Sequence, residues 1–320
     1  IPNAITGTPV VITPDTAPNI PWRGALVYIN DLEGKITKIN LSNNTKGYNE
    51  TGQLEPGVTK LYDQTTLFRL NASEANARYS YFGMDAGLGF DDGGFWLFGS
   101  TGNFTDLGGR EAGMDNILYG VQDKHYPFWK HLNSTTVPAA VVDASADPIQ
   151  INPEFLKAAH KGANDAKSID DPGVCVDVTE QTANCIVDAE NAWVIHLDNP
   201  QENSFRKVSA PPTLFKGQVY FPVYEPPGGA NRCNIGNAYI CVADDECGIN
   251  NSHKLLKGSP ANGKECSFVR EGVLSELVVF GDKLFANVAG PSDDVDTLYS
   301  VLAAPGEVLS NRSSWRDPGF

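Results

Sequence analysis

Methionine is scarce in this chain, with 2 among 320 residues. Cysteine is missing from the first half: Cys175, Cys185, Cys233, Cys241, Cys247 and Cys266 all lie beyond it. No block of clustered Lys or Arg occurs, and the formal net charge is −15. That balance argues against a nucleic-acid surface, which needs grouped cations to displace counterions from phosphates. No apolar run approaches the roughly 18 residues of a membrane span, so the chain contains no spanning helix. No Cys-x-x-Cys pair offers zinc spacing, and His125, His131, His160, His196 and His253 form no His-Glu-x-x-His helix or other metal pattern. No Gly-x-Ser-x-Gly elbow is present. Gly99-Ser100-Thr101-Gly102 only imitates one and reads as a glycine cluster at a strand end. Paired carboxylates for glycoside cleavage cannot be assigned, because sequence does not fix their separation. The expectation is a protein that is not an enzyme.

Good helix-forming runs are few, while glycine (31) and proline (21) are plentiful, a composition of many short strands joined by turns. The run from Gly24 to Leu41 writes two strands around Asp31-Leu32-Glu33-Gly34, with Gly34 placed to supply the positive φ of a short hairpin connection. A related pattern returns at Gly281 to Val288. Hairpins repeated along a chain of this length predict an all-β fold with radial repetition, a β-propeller.

About four blades can be counted. Residues 1–42 hold the first. Strands at 59–62, 66–70 and 79–85 are expected to form a second, and 93–103 with 116–123 a third. The texture changes between about 134 and 190, a loop-rich insertion with one short helix predicted at Pro153 to His160, Pro153 suiting its first turn. Strands resume at 192–197, 212–215, 218–224 and 238–242, with Lys216-Gly217 as a turn, and a last set spans 272–280, 283–288 and 297–302. The whole of 1–320 reads as one propeller region. Four blades alone would leave two raw sheet faces, so more propeller is expected on other segments or a partner chain.

The cysteines read as disulfide candidates in an oxidising compartment. Close spacing favours Cys175 with Cys185 and Cys241 with Cys247, leaving Cys233 with Cys266. Asn-x-Ser/Thr sequons at Asn40, Asn43, Asn49, Asn71, Asn103, Asn133, Asn250 and Asn311 exceed what residue frequencies would place there and mark glycosylation candidates, a polar Asn-rich surface being the alternative. No signal peptide is recognisable at Ile1, so the start reads as internal to a processed or larger polypeptide.

Acidic clusters stand at Asp91-Asp92, at Asp244-Asp245-Glu246 and at Asp293, Asp294 and Asp296. The last is a metal candidate, calcium being the fitting ion, against an ordinary solvated turn. No other cofactor is expected. Of Trp22, Trp96, Trp129, Trp193 and Trp315, Trp96 and Trp193 are expected to fill wedges between blades rather than stack on sugars.

Taken in order, several segments resemble the carboxy-terminal propeller of the PilC/PilY family, adhesin and assembly factors of type IV pili. They are the hairpin from Gly24 to Leu41, Phe95 to Asn103, Leu118-Tyr119-Gly120-Val121-Gln122-Asp123 and Ala192 to Leu197. Val219 to Pro226 leading to Cys233, Gly272-Val273-Leu274-Ser275 and the closing Ser314-Trp315-Arg316 complete the set. The resemblance covers nearly the whole chain and implies the latter part of a ring of about seven blades. Many members of that family carry a DxDxDG calcium loop ahead of this hairpin. Here Pro14 to Arg23 has one carboxylate, so calcium is not carried over to that loop.

The resemblance implies an extracellular location at the cell surface or pilus tip, and cell adhesion with pilus biogenesis as the role. The implied partners are pilin or minor pilin subunits, the remainder of the propeller, and a host or surface receptor. Loops such as Ser42 to Gly57 and Asn133 to Asp171 would make the contacts. The competing readings are a carbohydrate-binding propeller and a quinone-cofactor propeller.

Overall fold

In the computed structural model, the hairpin that stands out in the sequence forms between β2 (Leu26–Asn30) and β3 (Lys35–Asn40). The structure describes residues 3–13, 25–41, 46–48, 54–56, 63–70, 72–89, 93–123, 126, 192–197, 204–229, 234–246, 248, 266–290 and 298–302. Asp31 N donates to Lys35 O at 3.0 Å and Gly34 N to Asp31 O at 2.9 Å. Gly34 takes φ 75°, which closes a three-residue connection whose last residue must be left-handed. Leu26, Tyr28 and Asn30 point inward while Val27 and Ile29 face out, the period of two that a pleated strand imposes.

β1 (Val10–Ile12) pairs with β2, and β6 (Asp63–Arg69) pairs with β3, so the first sheet runs β1-β2-β3-β6. Between β3 and β6, β4 (Lys46–Tyr48) and β5 (Leu54–Pro56) form a separate ribbon. The second sheet comprises β7 (Asp85–Leu88), β8 (Phe95–Ser100), β9 (Ile117–Asp123) and β10 (Ala192–His196), each antiparallel to its predecessor. The third contains β11 (Lys207–Val208) and β12 (Thr213–Phe215), both against β13 (Gln218–Glu225), then β14 (Asn237–Asp244) and β15 (Cys266–Glu271). The fourth places β16 (Val273–Leu274) and β17 (Val278–Phe280) on one side of β18 (Lys283–Ala289) and β19 (Leu298–Leu302) on the other.

All four sheets are therefore consecutive up-and-down meanders. The described residues contain no α-helix, only a single 3-10 turn at Phe104–Asp106. The short helix predicted at Pro153 to His160, and the insertion around it, lie outside the described residues.

The sheets stack face to face through three cores. The first joins Ile12, Leu26, Tyr28 and Ile36 to Phe95, Leu97, Ile117 and Tyr119. A second joins Trp96, Phe98 and Trp193 to Val219, Phe221 and Val223. In the third, Tyr220, Ile240 and Val242 meet Leu274, Leu284 and Val288. Sheets two and three are thus buried on both faces, which explains why β8 and β9 read as unbroken apolar runs. Trp96 and Trp193 occupy the wedge between them, as expected.

Two sequence expectations are corrected. The strand at 66–70 does not begin a second blade with 79–85; it completes the first sheet, because the outer edge of β3 carries backbone groups that a fourth strand satisfies. Ser80 makes an isolated bridge to Gly102, and Asp85 opens the second sheet. Segment 59–62 lies outside the described residues.

The second correction concerns the cysteines. Cys241 bonds Cys266, with Cα atoms 3.9 Å apart, rather than Cys247, and Cys266 is therefore not the partner of Cys233. β14 carries the chain away from Cys241 as far as Asp244, whereas antiparallel register sets Cys266 directly opposite. Cys175, Cys185, Cys233 and Cys247 lie outside the described residues. Replacing Cys266 by serine should lower unfolding stability by about 2–4 kcal/mol, seen as a lower denaturant midpoint in non-reducing buffer and no difference from the parent once reductant is added.

Candidate interaction face

Because each sheet is a meander, its strand connections alternate between two ends of the stack. At one end lie the second-to-third connections, 31–34, 101–116 and 226–236, together with the links between sheets. Here the chain is tied across sheets. Leu32 N donates to Ala4 O (2.7 Å), Ser80 N to Leu32 O (3.0 Å), Gly102 N to Tyr79 O (2.8 Å) and Gly272 N to Gly236 O (2.7 Å). Arg78 pairs with Asp115, and Arg206 Nε donates to Glu225 Oε2 at 2.7 Å. Lys207 is fully buried, and its Nζ donates to Asp106 O (2.8 Å) and Gly109 O (2.9 Å), capping the 3-10 turn. A satellite cluster of Leu32, Ala77, Tyr79 and Met114 fills the space beneath. These bonds and contacts tie the described loops of this end to one another and to neighbouring sheets.

At the opposite end the third strand of each of the first three sheets runs on into a long connection: 41–62 after β3, 124–191 after β9 and 245–265 after β14. The roots of these connections are fixed by buried polar contacts. Asp123, the last residue of β9, receives Lys38 Nζ at 2.6 Å and the Tyr28 hydroxyl at 2.8 Å. All three groups are buried. Lys38 lies on the inward face because it shares register parity with Ile36. Tyr126, just past β9, stacks on Phe95 with centroids 4.5 Å apart.

The chain returns at β10, where Trp193 is fully buried and its indole N–H donates to Asp245 O at 2.9 Å. Asp245 is where the next connection departs. Gly248 follows at φ +68°, with the Trp193 ring so close that a Cβ would lie 2.5 Å from it. The roots of 124–191 and 245–265 are therefore pinned to each other. On the same end, Lys216 Nζ meets Asp282 Oδ1 at 2.7 Å across the turns of sheets three and four.

The buried tyrosines make this arrangement sensitive to alkali. Burial, then the Asp123 charge and the hydrogen bond to it, raises the Tyr28 hydroxyl well above its usual range. Burial raises Tyr119 also, and burial followed by Asp123 pushes Tyr126 up to about 12. Each folded value exceeds the unfolded value of 10.0. The folded chain therefore holds these protons longer; their stabilisation is complete below pH 10 and is lost as pH rises through the folded values. Tyrosinate absorbance should show exposed tyrosines ionising first and a cooperative step, coincident with loss of far-UV circular dichroism, at higher pH. A single smooth titration centred near pH 10 would contradict the burial of Tyr28.

Other sequence-selected residues fall as follows. Asn103 caps the 3-10 turn, its Oδ1 accepting from Thr105 N (3.2 Å) and Thr105 Oγ1 (2.7 Å). Asn40 ends β3 opposite Leu26. Asn43, Asn49, Asn71, Asn133, Asn250 and Asn311 lie outside the described residues, as do Asp293, Asp294 and Asp296. Asp244 Oδ1 accepts from Glu246 N at 3.1 Å, so that part of the second acidic cluster serves its own turn. Among the described residues no group of three or more His, Cys, Asp or Glu is placed to hold a metal. The buried cations Lys38 and Lys207 were not singled out by sequence. Register parity with Ile36 was the available signal for Lys38; for Lys207 there was none.

The fold defines an all-β protein of stacked antiparallel meanders, propeller-like in its succession of sheets. Among solved structures it is similar to the crystal structure of the Pseudomonas aeruginosa PilY1 C-terminal domain, with a TM-score of 0.54 and 12% sequence identity. The match covers 96% of this chain and 61% of that one, so the chain spans about three-fifths of the domain it resembles. No family model and no curated protein matches the sequence. No described helix is long and apolar enough to cross a membrane.

Proposed function

We propose that this chain is part of an extracellular type IV pilus-associated protein that acts by binding and assembly rather than catalysis. The observation that carries the reading is the asymmetry of the two ends: β3, β9 and β14, the strands from which the long connections depart, all finish at one end, whereas the described loops of the other end are tied to neighbouring sheets. Rigid sheets presenting variable loops are a common design for recognition surfaces. The likeness in fold to the PilY1 domain supports the pilus association, and the Cys241–Cys266 bond supports an oxidising compartment. The partners are pilin or minor pilin subunits at the filament tip and a receptor on a host cell or surface.

The test removes the longest connection. Ala192 lies opposite Val121 in register, so a short Gly-Ser linker can join Tyr126 to Ala192, keeping the Tyr126–Phe95 stack and moving neither strand. The shortened protein should keep its far-UV circular dichroism and melting temperature, while attachment to cells or surfaces and the promotion of pilus assembly are lost. Full retention of both activities would overturn the assignment of this end.

A further inference from the structure

The third sheet gathers a polar cluster beside an open aromatic ring, at its tied end and on the face turned toward sheet two. One cross-strand row holds Arg206, Glu225, Asn237 and Glu271, and the next sets Tyr239 opposite Phe268. Arg206 Nε donates to Glu225 Oε2 at 2.7 Å and Asn237 Nδ2 to Glu225 Oε1 at 3.2 Å, so both carboxylate oxygens are fixed in place. The Arg206 guanidinium lies 5.1 Å from the centre of the Tyr239 ring, and the residue is buried. Phe268 meets Tyr239 edge-on, with centroids 5.7 Å apart at 71°, yet it remains 57% exposed. β15 is an outer strand of its sheet, where charge rather than a large ring is the usual protection. The pairing of β14 with β15 shifts between Ala238 and Tyr239, leaving Val269 as an extra residue. Counted from the Cys241–Cys266 pair, unbroken register would set Arg270 opposite Asn237; the bulge sets Glu271 there instead. Bulges re-aim side chains in this way beside functional sites.

We propose that this corner binds one neutral pyranose unit of a glycan, its apolar face stacked on Phe268 and its hydroxyls hydrogen-bonded to Glu225, Asn237 and Glu271. The negative face of an aromatic ring attracts the polarised C–H groups of a sugar. Carboxylate and amide oxygens accept from hydroxyl groups, and the amide nitrogen donates to them. The charges select against an anionic sugar, because two carboxylates would face it while the guanidinium of the row is engaged with Glu225 and Tyr239. Burial of Arg206 against its partners holds Glu225 and Tyr239 in one geometry, so little ordering remains to be done on binding. The site lies at the end opposite the long connections and does not rest on the pilus reading.

The test is saturation-transfer-difference NMR on the whole chain, with the methyl glycosides of glucose, galactose, mannose and N-acetylglucosamine as probes and choline as a cationic comparison. Saturation of the aromatic protons should pass to the ring C–H groups of at least one glycoside. Phe268→Ala should weaken that binding by about tenfold, the worth of a well-stacked ring, with unchanged circular dichroism because the side chain is more than half exposed. Glu225→Gln should weaken it by about tenfold through loss of a charged acceptor. Phe280→Ala removes an exposed ring of the fourth sheet and should leave binding as it was. Three results would overturn the proposal: no transfer to any of the four glycosides, equal affinity in the parent and Phe268→Ala, or stronger transfer to choline than to every glycoside. The last would make the corner a cation site.

Discussion

Asp123→Ala should destabilise the folded chain by about 3–5 kcal/mol, the usual cost of removing one partner from a buried ion pair. Lys38 Nζ and the Tyr28 hydroxyl both reach the same carboxylate oxygen, and all three residues are buried between the first two sheets. Without the carboxylate, the ammonium keeps its desolvation penalty and loses its counter-charge, and the phenol loses its acceptor. Most of that loss comes from the charge left behind. The double replacement Lys38→Met with Asp123→Leu should therefore recover most of the stability despite removing the pair entirely. Urea denaturation of both variants checks this, with the midpoint as the readout and an unchanged slope as the sign that the fold persists. If Asp123→Ala alone costs under about 1 kcal/mol, the pair behaves as an exposed surface bridge and the burial described above is wrong.

Trp193→Ala should cost about 3–5 kcal/mol by opening a cavity in the second core. The ring lies between Phe98 (6.2 Å) and Phe221 (6.3 Å) by centroid distance and is fully buried. Trp193→Phe keeps much of that volume but loses the indole donation to Asp245 O, and should cost about 1 kcal/mol from the bond itself, plus a smaller packing loss. The two variants separate packing from anchoring. Hydrogen exchange near Asp245 and Gly248 should quicken in both, since each loosens the clamp between neighbouring loop roots. Equal protection in the parent and Trp193→Ala would show that the 245–248 segment is held by something other than the indole.

Much of the architecture was legible from residues 24–41, because a glycine at the end of a three-residue turn and alternating apolar positions together specify both the hairpin and its register. Lys216-Gly217 was equally legible, with both residues taking positive φ, 55° and 71°. The partition into sheets was harder. The pattern of 63–69 reads as a strand, yet nothing local says whether it pairs backwards with β3 or forwards with β7; the unpaired edge of β3 decides. The cysteine pairing failed for the same reason, since proximity along the chain competes poorly with register across a ladder. Composition also concealed the buried cations. Lys207 sits beside Val208 in a short piece of strand, and only the three-dimensional approach of Asp106 and Gly109 carbonyls makes its burial tolerable. The broken first strands form a subtle repeat: Ser209 N donates to Pro222 O (3.0 Å) and Ser275 N to Asn287 O (2.8 Å) in equivalent places.

The unbroken meander order has a consequence for biogenesis. Every strand of the four sheets completes its ladder with strands that precede or follow it in meander order, so a chain emerging amino end first from a ribosome or translocation pore can zip each sheet as it arrives. The first sheet is complete by Arg69, whereas the second stays one strand short until Ala192 has cleared the exit. For that interval the lining of Trp96 and Phe98 lacks the sheet that will cover it, and this is where a chaperone acting on the nascent chain would find its target.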